Sequence, residues 1–225
     1  MTLAARRLLL HLSVMKLRVV LVAVSAALGL LGAASAAAKP DKQLVQLFAM
    51  TPEDFTRTTA FSNDAMDTEA KFSTEPGFKY KVGLFNEASA DVYLLASVNK
   101  TNGVTRFRLF YTVTYPSSGW ANIAGANLMS RNGLVEVNTR GVGSDVLCYR
   151  GRCRYLEAVT VDLDIGTLRW LGDSYAPNQD NPMRVRFKTR AGVNFDTAMM
   201  PAEARGLVER VDAYRASRGF TRLEE

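Results

Sequence analysis

The segment 91–115 constrains the fold most. Val92, Leu94, Ala96 and Val98 alternate with more polar neighbours, and Phe107, Leu109, Tyr111 and Val113 do so again after Asn102-Gly103. Apolar residues two apart line one face of a strand, and Asn-Gly between two such runs is a strong short-range hairpin signal. Centring the turn on Asn102-Gly103 sets Val98 opposite Phe107, Ala96 opposite Leu109, Leu94 opposite Tyr111 and Val92 opposite Val113. All eight then share a face, while the other face is mixed: Leu95 opposite Phe110, but also Asn99 opposite Arg106 and Ser97 opposite Arg108. A chain with such a segment is committed to antiparallel β-structure with one buried face.

Two further hairpins follow. One turns at Asn132-Gly133, with Leu128 expected opposite Val137 and Ser130 opposite Val135. The other turns at Arg150-Gly151 and sets Cys148 opposite Cys153, with Val146 facing Tyr155. Directly opposed cysteines at a non-hydrogen-bonded pair lie close enough for a disulfide. Strand 183–189 alternates Met183, Val185 and Phe187 with Arg184, Arg186 and Lys188. Helix signals are fewer. Thr51-Pro52-Glu53-Asp54 reads as a cap with Pro at the first helical position, and Asp164 caps a short helix that holds Trp170. Pro201 opens a closing helix with one apolar stripe, Leu207, Val208, Val211 and Tyr214, stopped by Gly219. This pattern predicts a mainly β, α+β domain. Its layout is an antiparallel β-sandwich or a barrel-like sheet, with a C-terminal amphipathic helix packed on it by one face.

The N-terminus sets the compartment. Arg6, Arg7, Lys16 and Arg18 precede the uncharged run Val19 to Gly32, and small residues follow up to Ala38. Basic, apolar, small is the order of a secretory signal. Ala34-Ser35-Ala36 fits its cleavage site, and Met15 is an alternative start. The reading is a signal peptide over 1–36, a tether over 37–50 and one domain over 51–225. Val19 to Ala38 is also 20 uncharged residues, the length of an uncleaved anchor, but its Ala-rich end suits a protease site better. Cleavage would leave no membrane span, a periplasmic or secreted address, and conditions that favour the Cys148–Cys153 bond.

Removing the signal also removes most of the net positive charge. Residues 1–36 hold four of the 28 basic residues and none of the 22 acidic ones, leaving 24 against 22, a net charge of +2. Such a balance does not support nucleic-acid binding. His11, the only histidine, lies in the signal. The mature chain therefore has no Ser-His-Asp or Cys-His nucleophile system and no His-ligated metal site. Gly141-Val142-Gly143-Ser144-Asp145 is not G-x-S-x-G, and no phosphate-loop or dinucleotide fingerprint is present. Neither a cofactor nor a metal is expected.

Four constellations remain as candidate sites. Arg184, Arg186, Lys188 and Arg190 form a basic stripe suited to an anionic partner, or to an ordinary solvated face. Arg106 and Arg108 join it if their strands are neighbours. Glu157 falls between Tyr155 and Val159 on an apolar face, beside Ser144, so it is either paired within the fold or the carboxylate of a site. Asp162 and Asp164, with Asp173 and Asp180 downstream, have the oxygen chemistry of a calcium site without its motif spacing. Trp120, Tyr111, Tyr115, Tyr149 and Tyr155 line either a groove or the core.

The signal segment, the Trp120 loop, the cysteine hairpin followed by Glu157 and the closing helix together resemble a group of uncharacterised exported, mostly β proteins of Gram-negative bacteria, over residues 80–217. The resemblance implies a periplasmic address and carries over no functional residue. The expectation is a non-enzymatic envelope accessory or binding protein, acting through Arg184, Arg186, Lys188 and Arg190 on an anionic envelope component or a protein partner. Two alternatives stand beside it: a small apolar-ligand or lipid carrier, and a histidine-free carboxylate hydrolase of envelope glycans using Glu157.

Overall fold

The computed structural model describes residues 49–75, 80–82, 88–177 and 181–223, so the expected signal segment, nearly all of the tether, and Asp180 lie outside the described residues. Chain order is α1 (Pro52–Thr58), β1 (Ala60–Ser62), β2 (Glu69–Ser73), β3 (Tyr80–Val82), β4 (Ala88–Asn99), β5 (Thr105–Pro116), β6 (Ile123–Ser130), β7 (Gly133–Asn138), β8 (Arg140–Tyr149), β9 (Arg152–Leu163), α2 (Ile165–Asp173), β10 (Met183–Thr189), β11 (Phe195–Met199) and α3 (Pro201–Ser217). The strands form two antiparallel sheets. The large one runs β1-β2-β4-β5-β9-β8, with β3 also on β4, and the small one runs β11-β10-β6-β7. Neither closes into a barrel.

The inner face of the large sheet carries Leu94, Leu109, Tyr111 and Val161, all fully buried. Two things cover it. Over β5 and β9 lies the small sheet, where Phe187 stacks on Tyr111 with ring centroids 4.1 Å apart. Over β2 and β4 lies α3, through Leu207 and Val211. The architecture is a sandwich along half of the large sheet and helix-on-sheet along the other half. Each large apolar side chain buried this way contributes about 1.5–3 kcal/mol relative to exposure.

The first two hairpins keep their expected faces but differ in register. Val98 pairs with Thr105, Ala96 with Phe107, Leu94 with Leu109 and Val92 with Tyr111, two residues off the expected match. Leu128 pairs with Val135 rather than Val137, the same slip. In both turns the Asn keeps a negative φ, and only the Gly enters the left-handed region, at +71° for Gly103 and +105° for Gly133. The glycine therefore closes the loop instead of sitting at its centre. A slip of two preserves the side-chain face, so alternation alone cannot detect it. In the third hairpin both Arg150 (φ 48°) and Gly151 (φ 76°) are left-handed, and Cys148 pairs with Cys153 and Val146 with Tyr155, as expected.

Helix ends follow their sequence signals. Thr51 and Asp54 form a reciprocal capping box at α1 (3.2 and 3.1 Å), and Asp164 Oδ1 accepts from Thr167 N at 2.7 Å at α2. At the end of α3, Gly219 N donates to Ala216 O and Phe220 N to Arg215 O, both at 3.0 Å, which is a Schellman motif.

The helix α3 is buried more widely than its apolar stripe suggests. Ala202, Ala204 and Gly206 are enclosed along with Leu207 and Val208, because α1 and α2 pack on faces the sheet does not cover. Gly206 permits this: a Cβ there would lie 2.5 Å from Pro52 O and 2.6 Å from Phe55 Cβ. Packing on the sheet by one face alone is thus corrected to a three-sided contact. Among the described residues no helix is long and apolar enough to cross a membrane.

Candidate functional site

Of the four expected constellations, the structure brings members of three together, Glu157, Arg190 and Trp120. Glu157 on β9 and Arg190, just past β10, both line one open cleft of about 660 Å³. The floor is Gly141–Ser144 of β8 with Ala158 and Val159 of β9, and the wall is Trp120, Asn122 and Ile123. It exists because the small sheet ends at β9 and leaves the inner face of β8 bare. The glycines Gly141 and Gly143 flank a bulge in β8 and have no neighbour above them, which keeps the floor low.

Glu157 is 8% exposed and opposite Ser144, as its sequence position implies. Its two oxygens take consecutive backbone amides, Oε1 from Asn122 N (3.0 Å) and Oε2 from Ile123 N (2.9 Å). The Tyr115 hydroxyl also donates to Oε1, and accepts from Ala121 N at 2.7 Å. Asn122 reaches this position through a left-handed φ of 58°. Asn122 O and Ala121 O in turn accept from Arg190 N and Ala191 N. Glu157 is therefore the clamp by which the large sheet holds the entry of β6 and the turn after β10. Its partners are backbone amides and a tyrosine, not an arginine. Desolvation and the hydrogen bond to Glu157 together push the Tyr115 hydroxyl up to about 12.

The basic stripe is placed as alternation requires, on the outer face of the small sheet, but its central cations are engaged. Arg186 makes a two-pronged contact with Asp196 of β11 (2.7 and 3.0 Å), and Lys188 reaches Glu136 of β7 at 2.9 Å. The Asp196 carboxyl is held below the usual carboxylate range, first by its hydrogen bond from Arg186. Arg106 and Arg108 lie in the other sheet and do not extend the stripe. Arg106 contacts Glu69 at 3.3 Å, and Arg108 lies opposite Asp162.

The aspartate pair also separates. Asp164 is committed to capping α2, with Thr167 Oγ1 donating to it at 2.6 Å. Among the described residues no three of His, Cys, Asp and Glu gather as a metal-ion site. Of the aromatics, Tyr111 and Tyr115 are core, and Trp120 lies edge-on to Tyr155 at 4.8 Å. Tyr149 is exposed beside the Cys148–Cys153 disulfide, which is formed.

One buried carboxylate escaped sequence reasoning. Glu203, in the first turn of α3, reads there as a dipole partner, yet it is only 2% exposed. It accepts from Thr74 Oγ1 (2.5 Å), Leu94 N (3.0 Å) and the Met200 amide. Burial among neutral partners pushes its carboxyl up to about 7. Arg215 is likewise buried, donating to Gly103 O, Thr105 Oγ1 (2.9 Å) and Thr221 O (2.7 Å), so it pins the end of α3 to the β4–β5 loop. A polar partner more than 100 residues away leaves no local trace in either case.

No protein-family model, curated protein or solved structure matches this chain.

Proposed function

We propose that the protein is a non-enzymatic binding protein of the exported space, periplasmic or secreted, and that it takes an anionic partner at the cleft beside β8. The observation that carries this reading is the position of Arg190. It is the member of the basic stripe that lines the cleft, it is exposed, and it stands across from bare glycine backbone. Trp120, Ile123 and Val142 add apolar surface around it. A binding role fits better than hydrolysis because Glu157 spends both oxygens on Asn122 N, Ile123 N and the Tyr115 hydroxyl. A free general acid would need at least one oxygen turned to substrate. A carrier for a small apolar ligand would need an enclosed apolar cavity. This cleft is open and presents Asn122, Ser144 and Arg190. The signal-like N-terminus supports the address.

The test is photo-crosslinking in the exported protein, with the reactive residue placed at Val142 in one variant and at Arg184 in another. Adducts from position 142 that disappear on Arg190→Glu are expected. Adducts from 184 alone would return the contact to the stripe and reject the cleft.

A further inference from the structure

The outer edge of β8 is the least protected part of the fold. All ten residues from Arg140 to Tyr149 are exposed, and among the described residues no strand pairs that edge. It is also apolar for an edge: Val142 is 57% exposed, Leu147 72% and Tyr149 68%. Exposed edges of this length usually carry charge or are covered, since they template pairing with another strand.

The hairpin geometry shows which amides are on offer. Cys148 and Cys153 have Cα atoms 4.0 Å apart, the close spacing of a non-hydrogen-bonded pair. Ser144, Val146 and Cys148 then all point their N–H groups away from β9. The Val146 amide confirms the direction. Its acceptor is the neighbouring Asp145 Oδ1 at 2.7 Å, a carboxylate oxygen standing where the carbonyl of a next strand would stand.

Charge selects the occupant. On β8, its turn and the stretch of β9 that faces it stand the exposed Arg140, Arg150, Arg152 and Arg154, with Arg190 across the cleft, against the single exposed acid Asp145, a balance of five to one. Two copies of this edge would bring like charges together, which disfavours pairing β8 with itself. An acidic strand meets no such cost. The geometry points to β8 as a docking edge for an extended, acidic polypeptide segment that adds as a further strand of the large sheet. This rests on the reading of the adjoining cleft as a binding site, and it names the partner. Main-chain hydrogen bonds to Ser144, Val146 and Cys148 supply the grip. Asp145 is displaced from the Val146 amide, and acidic side chains face the arginines.

The probe is a fluorescein-labelled dodecapeptide alternating glutamate with valine, followed by anisotropy against the full exported chain. We expect binding that weakens at least tenfold in three cases: with lysine in place of glutamate, with the acidic peptide N-methylated throughout, and with the Arg140→Glu, Arg150→Glu, Arg152→Glu variant. Hydrogen exchange at the Ser144, Val146 and Cys148 amides should slow when the acidic peptide is added. Val146→Pro removes one outward donor and leaves the ladder to β9 intact. It should weaken the peptide and leave the melting temperature near that of the parent. If Val146→Pro unfolds the chain, the N-methylated peptide and the exchange data still decide. Equal binding of the N-methylated peptide, or unchanged exchange at the three amides, overturns strand addition. So does a dimer in sedimentation that Val146→Pro dissolves, which would make the partner a second copy. If no peptide binds while position 142 still crosslinks in an Arg190-dependent way, strand addition fails and the cleft reading survives. If the crosslinks are also absent, both fall.

Discussion

Glu203 and Glu157 perform the same task on the two sides of β5 in the large sheet, in opposite directions. Glu203 reaches from a helix into the sheet and holds the Leu94 amide. Glu157 reaches from the sheet to a loop and holds the amides of Asn122 and Ile123. Around Glu203 the helices α1 and α3 and strand β4 close completely. Around Glu157 the second layer stops one strand short, and the cleft opens. One carboxylate lies sealed within the fold, while the other stabilises the wall of an open cleft. A buried carboxylate in a domain with no histidine over 51–225 is thus not itself a sign of catalysis. What surrounds it decides its role.

The comparison predicts unequal costs of removal. Glu203→Ala removes from a sealed interior the acceptor shared by the Thr74 hydroxyl, the Leu94 amide and the Met200 amide. Leu94 N keeps Thr74 Oγ1 at 2.8 Å and the hydroxyl keeps Leu94 O, so the cost is the orphaned Met200 amide plus the cavity left by the side chain, and a loss of about 3 kcal/mol is expected in denaturant unfolding. Glu157→Ala frees three donors, but the cleft admits water to them, so about 2 kcal/mol is expected. A larger loss at Glu157 than at Glu203 would contradict the assignment of the sealed and open ends.

The same contrast separates them by pH. The Glu203 carboxyl titrates at about 7 in the fold, against 4.5 ordinarily. Between those values the native state holds a proton that the unfolded chain releases. Stability therefore falls as pH rises through this window and levels off above about 7. Each pH unit of separation is worth about 1.4 kcal/mol, so the fall approaches about 3 kcal/mol. Glu203→Gln should flatten the profile between pH 4.5 and 7 while keeping a neutral partner for Leu94 N. A parent profile that rises with pH across this window would show that Glu203 is not the titrating group.

The disulfide belongs to the open end, and its expected effect is smaller. Cys148 and Cys153 close a loop with a sequence separation of five, and so short a loop contributes about 2 kcal/mol in the chain-entropy account. Replacing both with Ser should lower global stability by about this much or less. Hydrogen exchange should accelerate first in β8 and not in β4, since the hairpin can fray without disturbing the sealed end.

What could be read in the sequence follows from how local each determinant is. The third hairpin is legible to the residue because Arg150 and Gly151 are both left-handed and the cysteines fix the register. The first two are legible only to a face, since Gly103 and Gly133 close their loops and a slip of two leaves the alternation unchanged. Glu157 betrays itself as a carboxylate on an apolar face. Glu203 does not, because Thr74 lies 129 residues away. Ala202, Ala204 and Gly206 look like gaps in an apolar stripe, yet their small size lets two further helices approach α3. The engagement of the basic stripe depends on the order β11-β10-β6-β7, which brings Asp196 and Glu136 beside it from either side. No periodicity within β10 encodes that order.

The smallest expected effect is also the one that discriminates most between the stripe and the cleft. Arg186 and Asp196 are both well exposed, and such pairs contribute little in water. Reversing Arg184 and Arg186 to Glu should leave the melting temperature within error. It should also leave Val142 crosslinking and acidic-peptide binding nearly unchanged, because neither residue lines the cleft. Arg190→Glu should be equally silent in stability, being exposed and held through its backbone amide to Asn122 O. Its effect should appear only in binding, which weakens and depends less on salt, since one of the charges that attract the anion is gone. If instead the Arg184 and Arg186 reversal abolishes binding and Arg190→Glu does not, the partner lies across the small sheet. The acids Asp196 and Glu136 must then yield their arginine and lysine to it.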